Sequence, residues 1–332
     1  MKTPTSTTLF RLIGEPAPVI RSSDLLTEDH PLRPYPAVHP ARYSAWLRAL
    51  AFSAVFAAVF LLWTSMVYLA AGTVALIAMP LAELASAVIA YSVLVFYMES
   101  RTPAYEIEAR RLTGLLKGMV LGAVLLSLCI GILALVGSYS ITVINWHYSP
   151  WIALLVTGVV AGVSEEILLR GALFRLVEEG LGTWGAVVVS ALVFGGIHLS
   201  NPEVTVWGMV AIAVEAGILF AAVYTVTRSL WWCIGLHFAW NMMEGPVFGS
   251  IVSGSGAQDS WLIASWTGPD ILTGGTFGLE GSIVPVILLG LAGIGLLVYA
   301  ARKHLIVSPI WVRRSHLTRL LGSTTQPQSG LY

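Results

Sequence analysis

Trp151-Ile-Ala-Leu-Leu-Val-Thr-Gly-Val-Val-Ala-Gly-Val-Ser164-Glu165-Glu166-Ile-Leu-Leu-Arg170 is an apolar run of helical length with ionisable residues set into its far end. A helix needs about 20 mostly apolar residues to cross a hydrocarbon core, and this stretch supplies them. Ionisable groups are expensive there and are candidates for function by default. The same three charges would also suit the end of an amphipathic helix at an interface.

The rest of the chain has the same apolar character. Hydrophobic residues make up 56% of the 332 and charged residues 11%, against about 25% charged in an ordinary soluble domain. The formal net charge is zero, so no basic surface points to nucleic acid as a partner. The expected spans are 49–71, 74–98, 116–136, 151–177, 186–200, 204–227, 230–244 and 283–301. The runs are continuous rather than alternating, which favours helices over barrel strands. The fold class expected is therefore all-α, a polytopic membrane helix bundle of about eight transmembrane helices.

Charge placement gives the organisation. All 18 Lys and Arg residues fall before span one, between two and three, around the end of four, between six and seven, or after eight. The positive-inside rule then expects both termini in the cytosol. Residues 1–45 read as a Pro-rich cytosolic tail without the apolar region of a signal peptide. The bundle occupies 46–302, with a catalytic half at 150–285, and 303–332 reads as a basic cytosolic tail. The segment 245–282 contains no Lys or Arg and is expected outside, where Trp261 and Trp266 would suit an interfacial anchor. Cys129 and Cys233 lie in apolar runs and read as small core residues. Gly118-x-x-x-Gly122 and Gly158-x-x-x-Gly162 permit close helix approach.

Three polar clusters carry the chemistry. Glu166 and Arg170 stand four apart and can pair, while Glu165 is turned by about 100° toward another wall. Span five carries Phe194-Gly-Gly-Ile-His198, and span seven carries His237-Phe-Ala-Trp-Asn241, two polar side chains one turn apart. A helical rise of about 1.5 Å per residue sets Glu165 and His198 roughly 18 Å from their shared turn. His237 and Asn241 lie roughly 10 to 17 Å from the same side. Four polar side chains from three helices can therefore share one level.

A carboxylate and a histidine holding one water can activate it as a nucleophile. A second histidine and an amide can stabilise the oxyanion formed at an attacked carbonyl. Glu165, His198 and His237 could instead hold a zinc ion, although the His-Glu-x-x-His spacing is absent. No cofactor is favoured. Glu83 and Glu215, inside spans two and six, leave a proton-coupled carrier open. An immunity or scaffold protein without activity is also open.

Glu165-Glu166-x-x-x-Arg170, Phe194-x-x-x-His198 and His237-x-x-x-Asn241, in this order on separate spans, resemble the CPBP family, the CAAX proteases and bacteriocin-processing enzymes. Ser229-Leu-Trp-Trp-Cys-Ile-Gly-Leu-His237 and the stretch Gly268 to Gly281, which contains Glu280, look like its bacterial members. The resemblance implies a helical bundle with a conical cavity opening toward the cytosol, and a bacterial inner-membrane location. It implies that Glu165 activates water with His198, that His237 and Asn241 form the oxyanion site, and that Glu166 and Arg170 shape the cavity. A peptide or membrane-protein substrate and a lipid bilayer are the partners it implies.

Overall fold

The computed structural model describes residues 44–67, 73–101 and 104–313. The Pro-rich tail and most of the basic tail lie outside the described residues. The helices are α1 (Ala45–Val67), α2 (Thr73–Ser92), α3 (Thr113–Leu135), α4 (Ala161–Glu166), α5 (Arg175–Ile197), α6 (Val206–Ile212), α7 (Ile218–Thr227), α8 (Leu230–Met242) and α9 (Ile283–Arg302). Wider π-helical turns extend α2 and α8, flank α4 and join α6 to α7. The chain is an all-helical membrane protein with a single two-stranded sheet among its described residues.

Six helical stretches among the described residues are long and apolar enough to span a bilayer. The expected count of eight does not follow from length and apolarity, for two physical reasons. Trp151–Ser200 forms one stretch of 50 residues, but Gly182 breaks it with φ +73° and ψ 178°. The arms on either side run back on each other, because the Arg170 guanidinium lies 5.2 Å from the Phe194 ring. Only glycine suits Gly182: its φ is left-handed, and an added Cβ would stand 2.5 Å from the Val307 carbonyl. The seventh expected span, α8, has 13 α-helical residues before a π-helical turn containing Pro246.

Small residues set the position of α8. A Cβ on Gly118 would strike the Trp232 carbonyl, and one on Gly122 would stand 2.6 Å from the Leu236 carbonyl. On the other side, a Cβ on Gly158 would come within 2.8 Å of the Phe238 ring. Both Gly-x-x-x-Gly stretches thus serve α8, the helix that carries His237 and Asn241. Cys129 and Cys233 are buried in the core.

One end of the bundle gathers the arginines. Arg48 pairs with Glu99 at 2.6 Å and also with Glu179, and Arg175 reaches Glu99 at 3.0 Å. Arg228 pairs with Glu178 at 2.5 Å, and Arg313 donates to the Glu179 carbonyl. The start of the expected C-terminal tail is therefore docked: Val307 N donates to Thr183 Oγ1 at 2.8 Å.

The opposite end carries the loops. Tyr139–Ile144 (β1) pairs antiparallel with Leu262–Trp266 (β2), a sheet absent from the sequence-level expectation. Its partners come from two loops far apart in the chain, so no local hairpin signal marks it. The segment 245–282 folds back over this end, with Trp261 N donating to the Pro246 carbonyl at 2.8 Å.

The arginine-rich end should loosen in acid. Burial would raise the Glu99 carboxyl, but Arg175, Arg101 and Arg48 outweigh it and hold its pKa below the usual carboxylate value. Glu106 is likewise depressed, as Arg101 and Arg175 overcome its burial. Groups depressed on folding contribute stability that is present above their unfolded pKa of about 4.3 and is lost as pH falls through the folded value. Thermal unfolding in detergent should therefore drop below about pH 4.5. Replacing Glu106 with Gln should shrink that drop, and an unchanged acid limb in that variant would count against this network.

Candidate active site

Glu165, His198, His237 and Asn241 line one cavity of about 500 Å³. Helix geometry separates the adjacent glutamates. Glu166 is fully buried and accepts from the Arg170 guanidinium at 2.9 Å, with both side chains closed to solvent. The Glu165 side chain keeps 19% of its surface accessible and borders the cavity. A Glu-Glu-x-x-x-Arg run on one helix therefore gives one neutralised and one available carboxylate.

Arg170 packs against both the Phe194 and Phe220 rings, 5.2 and 5.1 Å from their centroids. It also reaches the Ala216 and Gly217 carbonyls, at 3.4 and 3.3 Å, near the join of α6 and α7. This arginine belongs to the wall behind the cavity.

The two glutamates bracket His237. Its Nδ1 is 3.0 Å from Glu166 Oε1, and its Nε2 is 4.0 Å from Glu165 Oε2. The first distance is a hydrogen bond and the second is beyond one. Nδ1–H donating to Glu166 fixes the ring and turns Nε2 toward Glu165. Sequence spacing suggested Arg170 as the partner of Glu166 and left this histidine contact unforeseen.

His198 is oriented by its own helix. Its Nδ1 lies 2.7 Å from the Phe194 carbonyl, which can only accept, so Nδ1 carries the proton. In the neutral ring the lone pair then sits on Nε2. Phe194, four residues earlier, supplies this carbonyl and packs its ring 5.0 Å from His198 and 6.1 Å from His237. Asn241 Nδ2 donates to the Thr157 carbonyl at 3.0 Å. That bond fixes the amide plane and leaves its second N–H uncommitted.

Other residues join that the motifs did not assign to the site. Glu83 borders the same cavity, with Ser164 Oγ 2.7 Å from its Oε1. Glu280, from the loop over the outer end, also reaches in. It accepts from Trp240 Nε1 at 3.1 Å and from Ser253 Oγ at 2.5 Å. Glu215 stays apart, fully buried, with neither carboxylate oxygen hydrogen-bonded. The stretch around Glu280 was visible in the sequence, but its destination depends on loop folding.

Zinc fits these residues poorly. Among the described residues no three His, Cys, Asp or Glu side chains converge enough to hold one ion. The bonds to Glu166 and to the Phe194 carbonyl use Nδ1 of each histidine and leave Nε2 open, an arrangement that metal-binding histidines share.

The cavity does not open toward the arginine-rich end. Its surface-exposed lining includes Ser200, Ser255 and Gln258, all at the loop end, where Asn201 Nδ2 donates to the Ser253 carbonyl at 2.6 Å. His198 lies just past the last turn of α5, so the site occupies the half of the bundle farther from those arginines.

A membrane-helix bundle with a carboxylate, two histidines and an amide around one internal cavity defines a class of intramembrane hydrolase candidates. Residues 145–243 match the family model for type II CAAX prenyl endopeptidase Rce1-like proteins. The matched segment holds all three motifs, in line with the motif resemblance. No curated protein matches the chain.

Proposed function

We propose that the protein is an intramembrane endopeptidase in which Glu165 and His198 activate a water molecule. The carrying observation is that Glu165, His198, His237 and Asn241, from three separate helices, line one cavity. A water held between Glu165 and His198 Nε2 loses a proton as it attacks the scissile carbonyl carbon. His237 Nε2, when protonated, and the free N–H of Asn241 stabilise the resulting oxyanion. The proton then passes to the leaving amine as the C–N bond breaks, leaving a carboxylic acid and an amine. No metal is needed in this reading.

Glu166 and Arg170 act as positioning residues, since Glu166 holds the His237 ring. The protein resides in a cell membrane as a multi-pass bundle with its arginine-rich end in the cytosol. It acts on a peptide or membrane-protein segment.

The experiment compares new protein N-termini in membranes from cells carrying wild type or Glu165→Ala. Cleavage products present only with wild type are expected. Identical product sets would overturn the reading. If Glu165→Ala kept full biological activity and no cleavage occurred, a scaffold or immunity role would replace it.

A further inference from the structure

Glu280 enters the cavity from the outer loop, beyond the segment that carries the three motifs, and the loop is built to hold it. Leu279 N donates to Ser250 Oγ at 2.8 Å, and the Gly281 carbonyl accepts from Trp207 Nε1 at 2.7 Å. Both chain neighbours of Glu280 are thus pinned. Gly274 and Gly278 stand at φ +81° and +94°. A Cβ on the first would strike the Gly278 carbonyl, and one on the second the Ile251 carbonyl. Glycine at both positions lets the backbone turn tightly enough to aim one side chain inward. Glu280 is left only 3% exposed, and its oxygens accept from Trp240 Nε1 and Ser253 Oγ.

This is a costly place for a carboxylate. Glu215 and Glu244, fully buried and outside the cavity lining, act on it as like charges. Glu83 and Glu165 share the cavity with it, and among the described residues no Lys or Arg lines that cavity. Burial raises the Glu280 carboxyl above the ordinary carboxylate value, against the pull of Ser253, His198, Trp240 and His237. Trp240 and Ser253 are neutral donors, so the two histidines are the groups that can carry a balancing positive charge. A side chain placed against its own electrostatic interest beside such groups points to function before stability.

The histidines differ in what they already have. His237 has a carboxylate of its own, Glu166 Oε1, 3.0 Å from Nδ1. His198 has the Phe194 carbonyl in that place, at 2.7 Å. A carbonyl fixes the ring but brings no net charge. Glu280 acts on His198 through space and supplies the charge that its hydrogen bond lacks. A carboxylate near an imidazole makes the ring more basic, and its open nitrogen a stronger acceptor.

We propose that Glu280 is a positioning residue of the hydrolysis and acts through His198. Its charge strengthens Nε2 as the acceptor for one O–H of the attacking water, while the other O–H gives its proton to Glu165. The water oxygen bonds the carbonyl carbon as the C=O electron pair moves onto oxygen. The proton held by Glu165 then passes to the leaving nitrogen as the C–N bond breaks. Glu280 itself gains and loses no proton. This role rests on the protease reading and extends its machinery into the outer loop.

The test uses full-length protein in liposomes and fluorogenic peptides spanning the sites found by the N-terminus comparison. Glu280→Gln keeps the volume and can still bond Trp240 and Ser253, but it loses the charge. Glu280→Asp keeps the charge and leaves a gap. Glu280→Gln should lose about tenfold to a hundredfold in kcat, the loss typical of a carboxylate that acts through a histidine, with KM little changed. Glu280→Asp should cleave faster than Glu280→Gln, whereas a merely structural role gives the reverse order. If Glu280→Gln does not fold, Glu280→Asp against Glu280→Asn, alike in volume, makes the same comparison. Wild-type kcat in Glu280→Gln, or an amide variant as fast as Glu280→Asp, would overturn the role of Glu280. The protease reading would stand in that case, provided Glu165→Ala is inactive on the same peptides. No cleavage of any peptide by the wild type would overturn the protease reading and this role with it.

Discussion

Glu165→Gln should lower peptide-bond hydrolysis by about 10²- to 10⁴-fold, the range carried by a positioned general base, while the protein still inserts and purifies normally. The two halves of this expectation come from separate observations. Glu165 borders the cavity with a partly accessible side chain, and its Oε2 makes no hydrogen bond. It therefore holds nothing together, and its loss removes no structural bond. Removing the negative charge beside His237 Nε2, 4.0 Å away, takes away the proton acceptor the attacking water needs. Single-turnover cleavage of a substrate peptide measures the chemical step apart from release. A Gln variant that cleaves at the wild-type rate would leave Glu165 a spectator and move the base to His198 or Glu83.

The same residue illustrates what could be read from the sequence. Neighbouring positions on a helix point about 100° apart, so one carboxylate of Glu165-Glu166 paired with Arg170 and the other left open follows from spacing alone. The shared level of His198 and His237 follows from helical rise and the routing of the chain. Their ring contacts were not legible. The bond from His237 to Glu166 crosses between helices that only packing brings together, through Gly118, Gly122 and Gly158. Spacing set Asn241 one turn from His237, but that one of its N–H groups is used on the Thr157 carbonyl, a residue no motif contains, was not legible.

Loops hid more than helices did. Tyr139–Ile144 pairs with Leu262–Trp266, and pairing between distant segments leaves no periodic trace in either one. Glu280 reads as one of the acids of an outer loop, but folding turns it into the cavity against Trp240 and Ser253. Which end of the bundle the cavity reaches was not legible for the same reason. Charge bias identifies which ends are alike, whereas loop folding decides which of them the cavity reaches.

Arg170→Met should destabilise the protein by about 3–5 kcal/mol, the loss that follows when one partner of a buried ion pair is removed. Arg170 and Glu166 are both fully buried, so Glu166 would keep a charge that water cannot reach. The double variant Glu166→Gln, Arg170→Met removes both charges at nearly constant volume and should recover most of that loss, since neutral replacements of buried pairs are often well tolerated. Activity should not return with stability. His237 Nδ1 would face a neutral amide in place of a carboxylate, and Phe194 and Phe220 would lose the guanidinium packed against them. Thermal unfolding in detergent, read beside cleavage by the same preparations, separates the outcomes. A double variant that is stable and active would reduce Glu166 to a counterion for Arg170. A single variant as stable as wild type would mean that the Glu166 charge is relieved within the bundle, with Ala216 and Gly217 no longer tied to the catalytic helix.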